Sequence, residues 1–181
     1  MIKALFFDVD GTLVSFQTHN VPQSTCDALR RAREKGVKIF TATGRPRQLL
    51  DNIPEVEPLM DGYILATGAL CTYGDEVVRK DVIPEDEVRE VVRFCTELGV
   101  PTVVVGTNDI QIVNRNDEFN HVFRDMLKVK YNKFDVPLDE VIAQGVLQIT
   151  PVLTADEEGW LLRSVPGWRA AGGKPRFWGM A

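Results

Sequence analysis

The feature that most narrows the fold of this chain is an apolar run from Ile2 to Phe7 that ends in two carboxylates one residue apart, Asp8 and Asp10. A short, near-continuous run of this kind suits a strand covered on both faces, as in a parallel sheet. The segments 37–42 and 62–67 give two further strands. Between the first two, Ser24-Thr25-Cys26-Asp27 has the form of a capping box. The helix it opens runs to about Lys35, with Ala28, Leu29 and Ala32 inward and Gly36 as its C-terminal stop. Strand, helix, strand, helix, strand is the order of an α/β parallel sheet.

The paired carboxylates carry the chemistry. Side chains alternate along a strand, so Asp8 and Asp10 leave the C-terminal end of the first strand on one side if strand geometry persists. Ligands bind at that edge of open parallel sheets. Two carboxylates held together call for a cation or a shared proton. Oxygen-only ligands select Mg²⁺ or a similar hard ion. Gly11 allows a sharp turn where a side chain would obstruct it. Such a site suits phosphoryl transfer. Asp8 attacks phosphorus as the nucleophile, Mg²⁺ bridges the opposing negative charges, and Asp10 serves as acid and then base. The plain alternative for a D-x-D sequence alone is a solvated turn. A calcium loop does not fit, since the residue at loop position twelve is His19.

Bulk properties narrow the partners. A net charge of −5 argues against nucleic acid or an anionic membrane as the main partner. No apolar run approaches the roughly 18 residues of a membrane span. Met1-Ile2-Lys3 leads directly into the first strand, so no signal peptide is expected. Three scattered cysteines, Cys26, Cys71 and Cys95, read as reduced and structural, which points to a cytoplasmic protein. Two histidines, His19 and His121, do not make a zinc site.

Further along, residues 71–80 read as a hairpin around Gly74-Asp75. From about residue 84 the pattern changes. Pro84 to Leu98 is an amphipathic helix with Val88, Val91, Val92, Cys95 and Leu98 at helical spacing. Strands are expected at 101–106, 109–114 and 146–153, and helices at 117–127 and 155–162. Helices beside locally paired strands indicate an α+β module. The residues 168–181 hold three bases, no acids and no periodic pattern.

Asp8-Val9-Asp10-Gly11-Thr12 resembles the D-x-D-G-T signature of the haloacid dehalogenase (HAD) superfamily. The stretch Phe40-Thr41-Ala42-Thr43-Gly44-Arg45-Pro46 resembles its second motif and the Cof-type branch with a type IIB cap. The resemblance implies a HAD-like (Rossmannoid) parallel core over residues 1–81, an inserted α+β cap over 82–166, and an unpatterned tail over 167–181. It implies an Mg²⁺-dependent phosphatase acting through an aspartyl phosphate on a small phosphorylated metabolite, with sugar phosphates the class suggested by analogy. Asp8 and Asp10 would be catalytic and hold the metal. Thr43 would hydrogen-bond the transferring phosphoryl group, Arg45 would face the substrate phosphate with the fork that suits it, and Gly11, Thr12 and Gly44 would line the phosphate site. A third motif, Asn-Gly-Ala in that branch, reads Thr67-Gly68-Ala69 here. Thr67 can donate one hydrogen bond, or the segment is a plain turn.

Two later motifs of the family, a lysine and a G-D-x-x-N-D stretch, do not occur in this sequence; Lys174 precedes Pro175 in the tail. The resemblance therefore implies an incomplete core, with the first strand as an apolar edge prone to self-association. Two expectations of different class follow: a phosphatase whose chain is truncated and inactive as it stands, or a silent fragment or pseudoenzyme that binds only a ligand or partner. The tail beyond Gly167 reads as out of frame, or as a genuine basic extension.

Overall fold

Four residues of the apolar run, Ala4–Phe7, form strand β1, which pairs in parallel with β2, Lys38–Ala42. Helix α1, Gln23–Glu34, connects them. Strand β3, Gly62–Leu65, continues the sheet in parallel beside β2. Strands β4, Leu70–Tyr73, and β5, Glu76–Lys80, then turn back as antiparallel neighbours, giving the order β1-β2-β3-β4-β5. In this computed structural model the described residues are 2–121, 123, 130–131 and 133–152. The chain divides into two units, Met1–Val82 with Lys130–Asn132, and Ile83–Val129 with the residues from Lys133 onward.

In the first unit the hairpin forms where the sequence places it. Tyr73 and Glu76 pair across Gly74-Asp75, and Gly74 takes φ +56°. Gly36, at φ +78°, ends α1 by donating to the Arg33 carbonyl at 2.8 Å. The expected capping box is not formed. Pro22, pre-set in extended geometry at φ −60°, is the N-cap, so the helix begins before Ser24. Asp27 instead accepts from Gln23 and Arg30 on its own helix. Cys26 and Leu29, three apart, are the buried residues of α1; Ala28 is exposed, because the inward stripe runs through 26 and 29.

Among the described residues one face of this sheet is packed and the other is partly open. Ile39 and Thr41 of β2 are fully buried. On the opposite face Phe6 stacks on Phe40 at 4.8 Å and Phe40 on Tyr73 at 6.0 Å, with Phe6 58% exposed. The expectation that β1 is covered on both faces is therefore corrected among the described residues: β1 is the outer strand and its second face is open. Between β2 and β3, Asp61 accepts from the Ile39 N–H and from Lys38 Nζ, each at 2.9 Å. Burial alone would push the Asp61 carboxyl up, but the Ile39 N–H, the Lys38 ammonium and Arg33 outweigh it and hold it below the ordinary aspartate range.

The second unit is α+β. Helix α2, Glu85–Glu97, precedes the antiparallel pair β6, Thr102–Gly106, and β7, Ile110–Val113. A short helix α3, Asp117–Asn120, and helix α4, Leu138–Ala143, lead to β8, Val146–Pro151, which pairs with the other side of β6. Val88, Val92, Val104, Val141, Ile142 and Val146 form its core. Val88, Val92 and Cys95 are buried as their spacing predicts, whereas Leu98 is exposed at the C-cap, past the last helical turn. Helix α4 is not among the sequence expectations. Its signals, Pro137 ahead of Asp139 and Glu140 and Gly145 after it, are short-range ones. The expected helix at 155–162, the later part of that at 117–127 and the tail lie outside the described residues. Among the described residues no helix is long and apolar enough to cross a membrane.

Candidate active site

Beyond Phe7 the chain leaves β1 and folds back within a few residues. The Val9 carbonyl accepts from Thr12 N–H at 3.3 Å and Val14 N–H at 2.9 Å, and Gly11 N–H donates to the Val14 carbonyl at 2.8 Å. Gly11 sits at φ +79°, where a Cβ would stand 2.4 Å from Phe16 Cε2. Val9, Leu13 and Val14 go inward. Asp8 is exposed and Asp10 half-buried on either side of Val9, the alternation expected of a strand end. Thr12 is exposed on the turn.

Strands β1 and β2 run in parallel with Phe7 opposite Thr41, so their C-terminal ends lie at one edge. Thr43 leaves β2 there. Its N–H donates to the Ile64 carbonyl at 2.9 Å, and its Oγ1 accepts from the Arg45 N–H at 3.1 Å. Gly44, half-buried, carries the bend between them. Arg45 closes the site. Its Nε donates to Asp10 Oδ2 at 2.7 Å and its Nη2 to Asp10 Oδ1 at 2.9 Å, while Nη1 donates to the Leu49 carbonyl at 2.8 Å. The Arg45 side chain is 9% exposed and that of Asp10 28%. This planar fork is the geometry with which a guanidinium also grips a phosphate. In this structure it lies on a carboxylate.

The structure thus brings Asp10, Thr43 and Arg45 into one bonded chain at the edge where Asp8 also ends its strand. Three participants escape sequence reasoning. The Leu49 carbonyl is one, and a backbone group carries no residue signature. The others are the N–H groups of Ala66 and Thr67, which donate to the carbonyls of Arg45 at 3.1 Å and Thr43 at 3.2 Å. The pair Thr67-Gly68 at a strand end was their only sign.

The comparisons with known proteins concern this same segment and the unit after it. The sequence model of haloacid dehalogenase-like hydrolases matches residues 5–160. The chain belongs to that family. The chain is 44% identical to the HAD subclass IIB sugar phosphatase BT4131, with a TM-score of 0.77 over 91% of its own length and 64% of that chain. A second solved structure, described for a trigonal-bipyramidal intermediate in a phosphoryl-transfer superfamily, is 43% identical with a TM-score of 0.79, covering 92% and 64% of the two chains. The chain is also 31% identical over 153 residues to the phosphatase-named YxeH of Bacillus subtilis (strain 168), covering 78% of its own chain and 56% of YxeH. It spans about half the length of the curated relatives it matches.

The donor set fits a hard cation in part. Asp8 and Asp10 offer oxygen only, and each Asp10 oxygen keeps a lone pair beyond the one given to Arg45. Among the described residues no third carboxylate, histidine or cysteine joins them.

Proposed function

We propose that this hydrolase is built for phosphomonoester hydrolysis at Asp8, on a small phosphorylated metabolite. The observation that carries the reading is the exposed Asp8 carboxylate beside an Asp10 clamped by buried Arg45, itself tied to the Thr43 hydroxyl. Phosphorylated sugars are the substrate class, in line with the named activity of the 44% identical relative.

The chemistry divides among these residues. An Asp8 oxygen forms a bond to phosphorus as the bond from phosphorus to the ester oxygen breaks. Asp10, protonated once the Arg45 fork turns from it to the phosphate, gives its proton to that leaving oxygen. It then takes a proton from the water that attacks phosphorus and releases Asp8. Thr43 donates its hydroxyl hydrogen to a phosphoryl oxygen. Arg45 orients Asp10 and faces the phosphate edge of the site. Gly11, Thr12 and Gly44 keep the surrounding backbone close and uncluttered. Mg²⁺, which Asp8 and Asp10 would hold, offsets the repulsion between carboxylate and phosphate when bound.

We further infer that the 181-residue stretch alone turns over little. A dianionic phosphate beside two carboxylates needs more positive charge than one guanidinium held on Asp10. A single missing electrostatic partner typically costs roughly 10²- to 10³-fold. The alternative is a chain that binds a phosphorylated ligand at this same edge without turning it over.

Both are separated by one experiment. The purified chain is incubated with p-nitrophenyl phosphate and Mg²⁺, quenched with borohydride, and digested for mass spectrometry. Reduction of an acyl phosphate at position 8 in the wild type, and none in Asp8→Asn, is the expected result. Phosphate binding with no acyl phosphate supports the ligand-only reading. Metal-dependent hydrolysis that Asp8→Asn leaves undiminished overturns the covalent route.

A further inference from the structure

We propose that the left-handed turn Ala66-Thr67-Gly68 is a positioning device for Thr43 and Arg45, an inference that rests on and deepens the phosphatase reading of the same site. Three successive residues take positive φ: Ala66 at +48°, Thr67 at +58° and Gly68 at +92°. Two of them are not glycine and one is β-branched, the residue type least suited to this region. Such a run persists only where its surroundings hold it, and it gathers at functional sites.

What the turn accomplishes is visible in its hydrogen bonds. Along a strand, successive N–H groups point to opposite neighbours. Here two successive N–H groups, of Ala66 and Thr67, reach the same segment and bind the carbonyls of Arg45 and Thr43. A β3 that simply continued in extended form could supply only one of them. Thr43 is thereby held at its N–H by Ile64, at its carbonyl by Thr67 and at its hydroxyl by the Arg45 N–H. Arg45 is held at its carbonyl by Ala66 while its guanidinium lies on Asp10. The turn therefore fixes the backbone from which the Thr43 hydroxyl meets the Arg45 N–H and from which the Arg45 fork reaches Asp10.

The molecule contains its own control. A Cβ added at Gly68 meets nothing within 4 Å, so Gly68→Ala changes backbone preference without creating a clash. Gly36, at φ +78° beyond the end of α1, is also open to 4 Å and makes no contact with these residues' hydrogen bonds. Gly36→Ala therefore carries a similar conformational cost at a different place.

The experiment uses the 181-residue chain without ligand. Thermal unfolding measures stability, and NMR follows solvent exchange of the Arg45 Nε–H, assigned by its loss in Arg45→Lys. Both glycine variants are expected to lower the unfolding midpoint by similar amounts. Gly68→Ala alone is expected to speed Arg45 Nε–H exchange, by roughly five- to thirtyfold. Thr67→Asn, which tolerates the left-handed region, is expected to leave that exchange at the wild-type rate. If Gly68→Ala does not fold, Gly68→Asn should give the same pattern with a smaller change. Unchanged Arg45 exchange in the Gly68 variant, or equal acceleration in Gly36→Ala, overturns the proposal. Titration of inorganic phosphate with Mg²⁺ onto the wild-type chain judges the phosphatase reading separately. Absence of binding counts against that reading, while the Arg45 signal still decides the role of the turn.

Discussion

Arg45 holds both carboxylate oxygens of Asp10, through Nε at 2.7 Å and Nη2 at 2.9 Å, across the ends of two parallel strands. The guanidinium is buried and the carboxylate partly so. Removing the carboxylate leaves a buried cation without its counter-charge. Asp10→Asn should therefore destabilise the first unit, and a double-mutant cycle with Arg45→Met should return a coupling of about 1–3 kcal/mol in urea unfolding. A coupling near zero would show that the two side chains are held by their own strands and not by each other.

Thr43 is buried and its hydroxyl accepts the Arg45 N–H at 3.1 Å. Valine matches its shape and offers no acceptor. Thr43→Val should cost about 1–2 kcal/mol by leaving that N–H unsatisfied, and Thr43→Ser should recover most of it. Chemical denaturation of the three proteins, with unchanged m-values, checks the ordering.

Gly11 combines φ +79° with a would-be Cβ only 2.4 Å from Phe16. Phe16 is 72% exposed, so its ring can swing aside. The cost of Gly11→Ala should thus come from the backbone, about 1–2 kcal/mol. Adding Phe16→Ala should not restore the loss. Full rescue by the second substitution would assign the effect to the contact.

Stability should fall at acid pH through Asp61. Its carboxyl titrates below the ordinary aspartate value when folded, so the stabilisation it provides is complete above about pH 4. It is lost as pH falls from there through the depressed folded value, because the unfolded chain binds the proton more readily. Lys38 behaves in the opposite sense. Its hydrogen bond to Asp61 and their mutual attraction raise it, so its contribution is present below the ordinary lysine value and lost as pH rises through the raised one. Unfolding midpoints of wild type and Asp61→Asn, measured between neutral pH and pH 2, should converge at the acid end.

Much of this arrangement is legible in the sequence because its causes are local. The run ending at Asp8 and Asp10, the Gly74-Asp75 hairpin and the 88-92-95 stripe of α2 each follow from spacing within one segment. So does the pairing of the two motifs, since strands of like direction must end at a common edge. What sequence spacing does not encode is which partner a side chain selects. The sequence does not announce that the Arg45 fork also reaches the Asp10 carboxylate. Ser24 has the composition of a helix cap, but Pro22 starts the helix first. The contacts made by the backbone of Leu49, Ala66 and Thr67 depend on path more than on residue type, and only Thr67-Gly68 at a strand end hints at the last two.

The order of the five-stranded sheet has a consequence for how the chain reaches this state. Strands β3, β4 and β5 are joined by tight turns, so their pairing closes only small loops. Strand β1 reaches β2 only after α1 and its flanking loops have been spanned. Loop-closure entropy grows with the length closed, which favours early zippering of the 62–80 meander and late arrival of the N-terminal strand. The two aspartates follow directly on that last strand. On this order Thr43 and the turn at 66–68 should be in place before Asp10 arrives, and the Arg45 ion pair should form late; low φ-values for substitutions in β1 would check it.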